Sequence, residues 1–138
     1  ARALNVAARN AARHAPGRVH FIQADLLSAL APNLDLIAAN LPYIAPEEWP
    51  SLSIGVKSYE PVLALDGGAG GLDLIRTLLP QAAERLRPGG LVLLEIGWRQ
   101  GEAVAAAARA VFPAANIAIL PDFAGHDRIV SIQCEQNR

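Results

Sequence analysis

The sequence predicts an open α/β sheet, mostly parallel, that closes with an antiparallel hairpin at its C-terminal end. Three observations predict it. Short apolar runs alternate with stretches of helical periodicity, the pattern of strands joined by crossover helices. The runs at 34–40 and 91–96 are apolar almost throughout, as strands buried on both faces of a parallel sheet are. The last two runs, 116–120 and 128–134, are separated by a turn too short to hold a crossover helix, so they are expected to be antiparallel neighbours.

The elements follow in order. Residues 2–14 read as a helix with Leu4, Ala7, Ala8 and Ala11 on one face, stopped by Pro16-Gly17. Residues 19–25 read as a strand ending in Asp25, and 26–33 as a connection containing Pro32. Residues 34–40 form the next strand, ending in Asn40. The stretch 41–71 is rich in Pro and Gly and weakly periodic; a short helix near 47–52 and a short strand at 62–65 fit its pattern. Loops of this length inside a domain usually carry function. Residues 72–87 read as a helix with Ile75, Leu78, Leu79, Ala82 and Leu86 inward. Pro80 is expected to kink or split it, because proline has no N–H to donate. The run Arg87-Pro88-Gly89-Gly90 ends that helix, 91–96 is a strand ending near Glu95, and 100–112 is a helix closed by Pro113. No internal repeat or linker interrupts the chain, so residues 1–138 are read as one domain.

Composition narrows the function classes. Hydrophobic residues make up 52% and charged residues 18% of the 138 residues, a globular balance. No apolar run is long enough for a membrane span, and no signal peptide opens the chain. The net charge of −1 and the scattered arginines argue against a nucleic-acid surface. The single cysteine, Cys134, excludes an internal disulfide and reads as a small buried hydrophobe. A cytoplasmic location fits these features. The chain contains no Met and opens within a helical stretch, which predicts a piece of a longer protein, cut on its N-terminal side.

In open α/β sheets, ligands bind outside the carboxyl ends of the strands. Asp25, Asn40 and Glu95 stand at such ends and are expected to line one edge. The sharpest signal is Asn40-Leu41-Pro42-Tyr43. Asn40 offers a side-chain carbonyl acceptor. Pro42 keeps Leu41 out of the helical region, which leaves the Leu41 carbonyl free as a second acceptor. Tyr43 supplies a flat apolar face. Two acceptors and an aromatic lid suit a planar –NH2 group. Glu95 is expected to accept backbone N–H groups and hold the loop, and Glu60 to line the substrate entrance. Gly67-Gly68 lacks the Lys and Ser/Thr of a phosphate loop and reads as a turn. His14, His20 and His126 show no metal-ligand spacing, so no metal is expected.

The tetrad resembles the Asn-Pro-Pro-Tyr motif of N-methyltransferases that act on adenine and glutamine. Tyr59-Glu60-Pro61, Ala64-Leu65-Asp66-Gly67-Gly68, Gly71-Leu72, Glu95-Ile96-Gly97 with Gln100, and Gly125-His126-Asp127-Arg128 resemble, in order, the segments of the HemK/PrmC family. This resemblance covers essentially the whole chain. It implies a class I, S-adenosylmethionine-dependent methyltransferase with a Rossmann-like sheet that lacks its first strands here. It also implies methyl transfer to the side-chain amide of the glutamine in the Gly-Gly-Gln loop of peptide-chain release factors. By the same resemblance, Asp25 accepts from the adenine of S-adenosylmethionine and Asn40 borders the methyl donor. Asn40, Leu41, Pro42 and Tyr43 then form the catalytic and substrate-binding group, with Glu60 at its entrance.

Two positions depart from the family pattern: Leu41 stands where Pro is usual, and Gly70 where Asp is common. The glycine-rich cofactor loop of the family has no counterpart in the chain, so the isolated chain is expected to be inactive. By the family's strand order, two absent strands separate residues 19–24 from 34–39. The run at 19–24 would then lack a neighbour, and the isolated chain is expected to rearrange, to pair with a second copy, or to be the ordered part of a longer protein. The rival readings are a methyltransferase of nucleic-acid amino groups, at adenine N6 or guanine N2, and a non-catalytic fragment.

Overall fold

The computed structural model describes residues 2–136. Four strands form one sheet in the order β1-β2-β4-β3. They are β1 (Leu34–Asn40), β2 (Leu86–Glu95), β3 (Asn116–Pro121) and β4 (Asp127–Gln133). β1 and β2 are parallel, while β4 runs antiparallel to both β2 and β3. The helices are α1 (Arg2–His14), α2 (Ile54–Tyr59), α3 (Asp73–Arg85) and α4 (Gly101–Val111). The predicted mostly parallel sheet with a closing hairpin thus has one parallel pair and two antiparallel pairs among the described residues.

The core lies on one face of the sheet. Ile37, Val92, Leu94, Val130 and Ile132 point toward α3 and α4. Those helices answer with Ile75, Leu78, Leu79, Ala82, Val104 and Ala108, the residues that their 3.6-residue period puts on one side. Leu94 is 1% exposed at the centre of this layer. Replacing Leu94 with Ala is expected to destabilise the protein by about 3 kcal/mol, the transfer loss plus an unfilled cavity. A shift of the urea midpoint with an unchanged slope is the expected reading.

The opposite face is open. Leu36 is 52% exposed there, and Ala38 beside it is also exposed. β1 is an edge strand, so the reading of 34–40 as buried on both faces is corrected: its apolar character faces helices on one side only. α1 stands with Leu4, Ala7 and Ala11 half-buried and Ala8 exposed.

Three further expectations change. Residues 19–25 do not form a strand; they run irregularly, with Val19, Phe21 and Ile22 exposed. A strand is a pairing property, and this run pairs with none of the described strands. The segment after it does dock: Leu27 enters the core and its N–H donates to Gln81 Oε1 at 2.9 Å. Residues 62–65 form a single 3₁₀ turn over Val62–Ala64 instead of a strand. The α3 helix is neither split nor stopped at Pro80. Pro80 and Arg76 are both exposed, so the Arg76 carbonyl that loses its donor faces water. The helix ends at Arg85, and the Arg87-Pro88-Gly89-Gly90 run enters β2 through an irregular register opposite Leu34 and Leu36.

Candidate active site

The register of β1 on β2 sets Asn40 opposite Glu95, the last residue of each strand. Two strand ends that looked independent in the sequence are therefore neighbours. Asn40 Nδ2 donates to Glu95 Oε2 at 3.0 Å. The Tyr43 hydroxyl donates to the other oxygen, Glu95 Oε1, at 3.3 Å. The expectation that Glu95 binds backbone N–H groups is replaced: its carboxylate holds two side chains of the tetrad. Burial first, and the Glu95 carboxylate second, raise the Tyr43 phenol above its ordinary value, so it stays protonated and able to donate.

Asn40 commits an amide N–H to Glu95, and among the described residues its carbonyl oxygen accepts no hydrogen bond. Among the described residues no hydrogen bond reaches the Leu41 carbonyl. The Leu41 side chain is half-buried and packs against the core. A groove of about 210 Å³ lies over the tetrad, lined by Asn40, Leu41, Tyr43, Ile44, Ala64 and Leu65. A second groove, of about 330 Å³, runs beneath Asn40 along Ala38, Ala39, Leu93, Glu95 and Ile129 on the open face of the sheet.

The chain after Tyr43 is pinned to the glycine-rich stretch. Ile44 N–H donates to Leu65 O at 2.9 Å and Gly67 N–H to Ile44 O at 3.0 Å, an isolated parallel bridge. Gln100 closes the arrangement. It is 8% exposed, and its Nε2 donates to Tyr43 O at 2.8 Å and Gly70 O at 3.0 Å. Its Oε1 accepts from Gly97 N–H at 2.8 Å. One buried amide thus ties the tetrad, the glycine turn and the end of β2 together with every polar atom paired. The sequence marked Gln100 only as part of a family segment. Its clamp was not legible, because its partners lie 57 and 30 residues away.

The glycine turn is a turn, as expected. Gly68 N–H donates to Asp66 Oδ1 and Ala69 N–H to Asp73 Oδ2, both at 3.0 Å. Gly70 sits at φ +61 with open space around it. Asp tolerates that left-handed conformation better than most residues, which accounts for Asp being usual there.

Other predicted site residues stand apart. Asp25 ends no strand and lines neither groove; its carbonyl accepts from Ser28 N–H in a turn. Glu60 is exposed at the C-terminal end of α2 and lines neither groove. At the β3–β4 turn, Arg128 pairs with Asp122 at 3.2 Å and donates to Ile96 O at 3.1 Å. The His126 and Ala124 N–H groups bond Asp122, and the His126 bond does most to lower its carboxyl below the ordinary value. Cys134 is half-buried, and burial raises its thiol. No cluster that could hold a metal ion occurs among the described residues. No described helix is long and apolar enough to cross a membrane.

No family model matches the sequence. Two curated relatives are release factor glutamine methyltransferases. The chain is 52% identical over 128 residues to that of Moorella thermoacetica, covering 91% of this chain and 45% of the relative. It is 45% identical over 130 residues to that of Cereibacter sphaeroides, covering 94% of this chain and 46% of the relative. The chain therefore spans about half the length of the curated relatives it matches.

Among solved structures, it resembles a ribosomal protein L11 methylase from Lactobacillus delbrueckii subsp. bulgaricus. There the TM-score is 0.59 and the identity 18%, over 98% of this chain and 53% of the other. It also resembles the E. cuniculi Mtq2-Trm112 complex responsible for methylation of the eRF1 translation termination factor. That match has a TM-score of 0.57 and 17% identity, over 96% of this chain and 69% of the other. At such identities the likeness establishes the fold, which is the Rossmann-like open sheet of class I methyltransferases.

Proposed function

We propose, from the chain's similarity to release factor glutamine methyltransferases, that the Asn40 edge is the amide-binding half of a methyl-transfer site. The substrate is the side-chain amide of the glutamine in the Gly-Gly-Gln loop of a peptide-chain release factor. One observation carries the reading: Glu95 holds the Asn40 amide by its nitrogen, and Asn40 lines one groove with Tyr43 and with Leu41, whose carbonyl accepts no hydrogen bond among the described residues.

An amide nitrogen is a poor nucleophile, because its lone pair is delocalised into its own carbonyl. The site must position it and stabilise the positive charge that grows on nitrogen as it is alkylated. Two acceptors aimed at the two N–H bonds do both. Asn40 Oδ1 and the Leu41 carbonyl supply them, Pro42 fixes the backbone between them and Tyr43, and the Tyr43 ring packs on the amide plane. No strong base is required, since the product can release its proton to water.

S-adenosylmethionine, when bound, supplies an electrophilic methyl group on a sulfonium. Asn40, exposed at the end of β1, is the described residue that would border it. Asp25 as an acceptor for the adenine of that molecule and Glu60 at the substrate entrance belong to the same proposal for the whole protein, as does the release factor as partner.

The test is methyl transfer from labelled S-adenosylmethionine by the natural full-length protein. The acceptors are an intact release factor, the same factor with the glutamine of Gly-Gly-Gln replaced, and adenine-containing DNA. Label on the intact factor alone supports the reading. Label on DNA would assign the tetrad to a nucleic-acid amino group, and label on neither would leave a binding module.

A further inference from the structure

We propose that Glu95 is a positioning residue whose carboxylate sets the polarity of the Asn40 amide, a role that rests on the amide-binding reading above. The side chain of an asparagine is nearly symmetric in shape. Turned by half a rotation about its last bond, it would present Nδ2 to the groove instead of Oδ1, and an acceptor site would become a donor site. Something must choose between the two. Glu95 does so, because an ionised carboxylate only accepts. It takes Asn40 Nδ2 on Oε2 at 3.0 Å and the Tyr43 hydroxyl on Oε1 at 3.3 Å. With both neighbours donating inward, Asn40 Oδ1 is forced outward and the Tyr43 ring is held beside it.

The same geometry makes the site selective. A planar –NH2 meets acceptors, whereas a ligand carbonyl at that position meets another oxygen. Glu95 touches neither the substrate nor the reacting atoms. It acts through Asn40 and Tyr43, and the register of β1 on β2 supplies the approach.

Glu95→Gln keeps shape and removes the exclusivity. Glutamine has one acceptor and one donor group. If its oxygen keeps the Tyr43 hydroxyl, its NH2 faces Asn40, and Asn40 must turn to accept. Oδ1 then points inward and Nδ2 outward. In the pair N40D/E95Q the polarity returns, because the new carboxylate accepts from the new amide and keeps an oxygen for the groove.

The experiment uses the natural full-length protein with the release factor as substrate. E95Q is expected to lower kcat by about 100-fold, with KM for S-adenosylmethionine changed by less than about threefold. N40D/E95Q is expected to regain at least about tenfold of that loss, a non-additivity that a purely structural defect would not produce. Near-normal kcat in E95Q, or a double variant no better than E95Q, overturns the proposal and leaves the amide-binding reading standing.

A second measurement does not depend on the substrate. The Asn40 side-chain NH2 signal, assigned by its loss in N40D, is followed by 15N NMR. It should shift and exchange faster with solvent in E95Q. An unchanged signal overturns the proposal even if the release factor proves not to be the substrate.

Discussion

Replacing Asn40 with alanine in the full-length protein is expected to lower turnover on the release factor by roughly 100-fold, the usual effect of losing one preorganised polar contact to a developing charge. The side chain is exposed at the end of β1 and makes no contribution to the apolar core. Its removal should therefore leave the fold intact, with an unfolding midpoint close to that of the parent. Glu95 would lose one of its two side-chain partners but keeps Tyr43 and access to water, so no charge is stranded. The loss should appear in kcat and in kcat/KM together, because the contact strengthens as the nitrogen becomes positive. Near-normal turnover in N40A would remove Asn40 from the site and, with it, the case for an amide substrate. A loss of turnover together with a collapsed unfolding transition would instead place Asn40 in the framework.

The strands and helices that the sequence announced plainly are those whose signal is local. Leu34–Asn40 and Asn116–Pro121 are short apolar runs bounded by turn residues. The α3 and α4 faces repeat with helical period, and they are the faces buried on the sheet. Residues 19–25 carry the same local signal as β1 and yet form no strand. What differs is the neighbour: β1 has β2 to pair with, and this run has no partner among the described residues.

Pro80 shows the reverse. Local chemistry predicts a break, but a helix packed through Ile75, Leu78, Leu79 and Ala82 tolerates one missing bond on its wet side. The site was legible to the extent that polar residues end apolar strands. Asn40 and Glu95 could each be picked out, and their union could not. Register is set by the pairing of whole strands, and a slip of one residue would have turned their side chains to opposite faces. Gln100 was illegible for a related reason, since its partners Tyr43 and Gly70 belong to a loop whose path no local pattern fixes.

Gly71→Ala is expected to destabilise the protein by about 3 kcal/mol, the sum of left-handed backbone strain and a broken buried hydrogen bond. Gly71 is buried at φ +71, a conformation that side chains rarely adopt. A Cβ there would overlap the Tyr43 carbonyl oxygen and Gln100 Nε2, the two atoms that the Gln100 clamp joins. Neither can yield freely, because the carbonyl belongs to the bridged backbone and the amide is bonded on both of its polar ends.

Gly70→Ala is the matched control. Its φ is +61, but nothing lies within 4 Å of the added atom, so only the strain of about 1 kcal/mol is expected. Chemical denaturation of the two variants separates the terms. A difference of about 2 kcal/mol between them would assign the excess to the crowded clamp. Equal losses would mean that the backbone conformation alone makes glycine necessary, and that Tyr43 is held in place without the close approach of Gly71. G71A should also disturb the site: a displaced Tyr43 carbonyl moves the ring beside Asn40, so whatever folded protein remains should have lost turnover that G70A keeps.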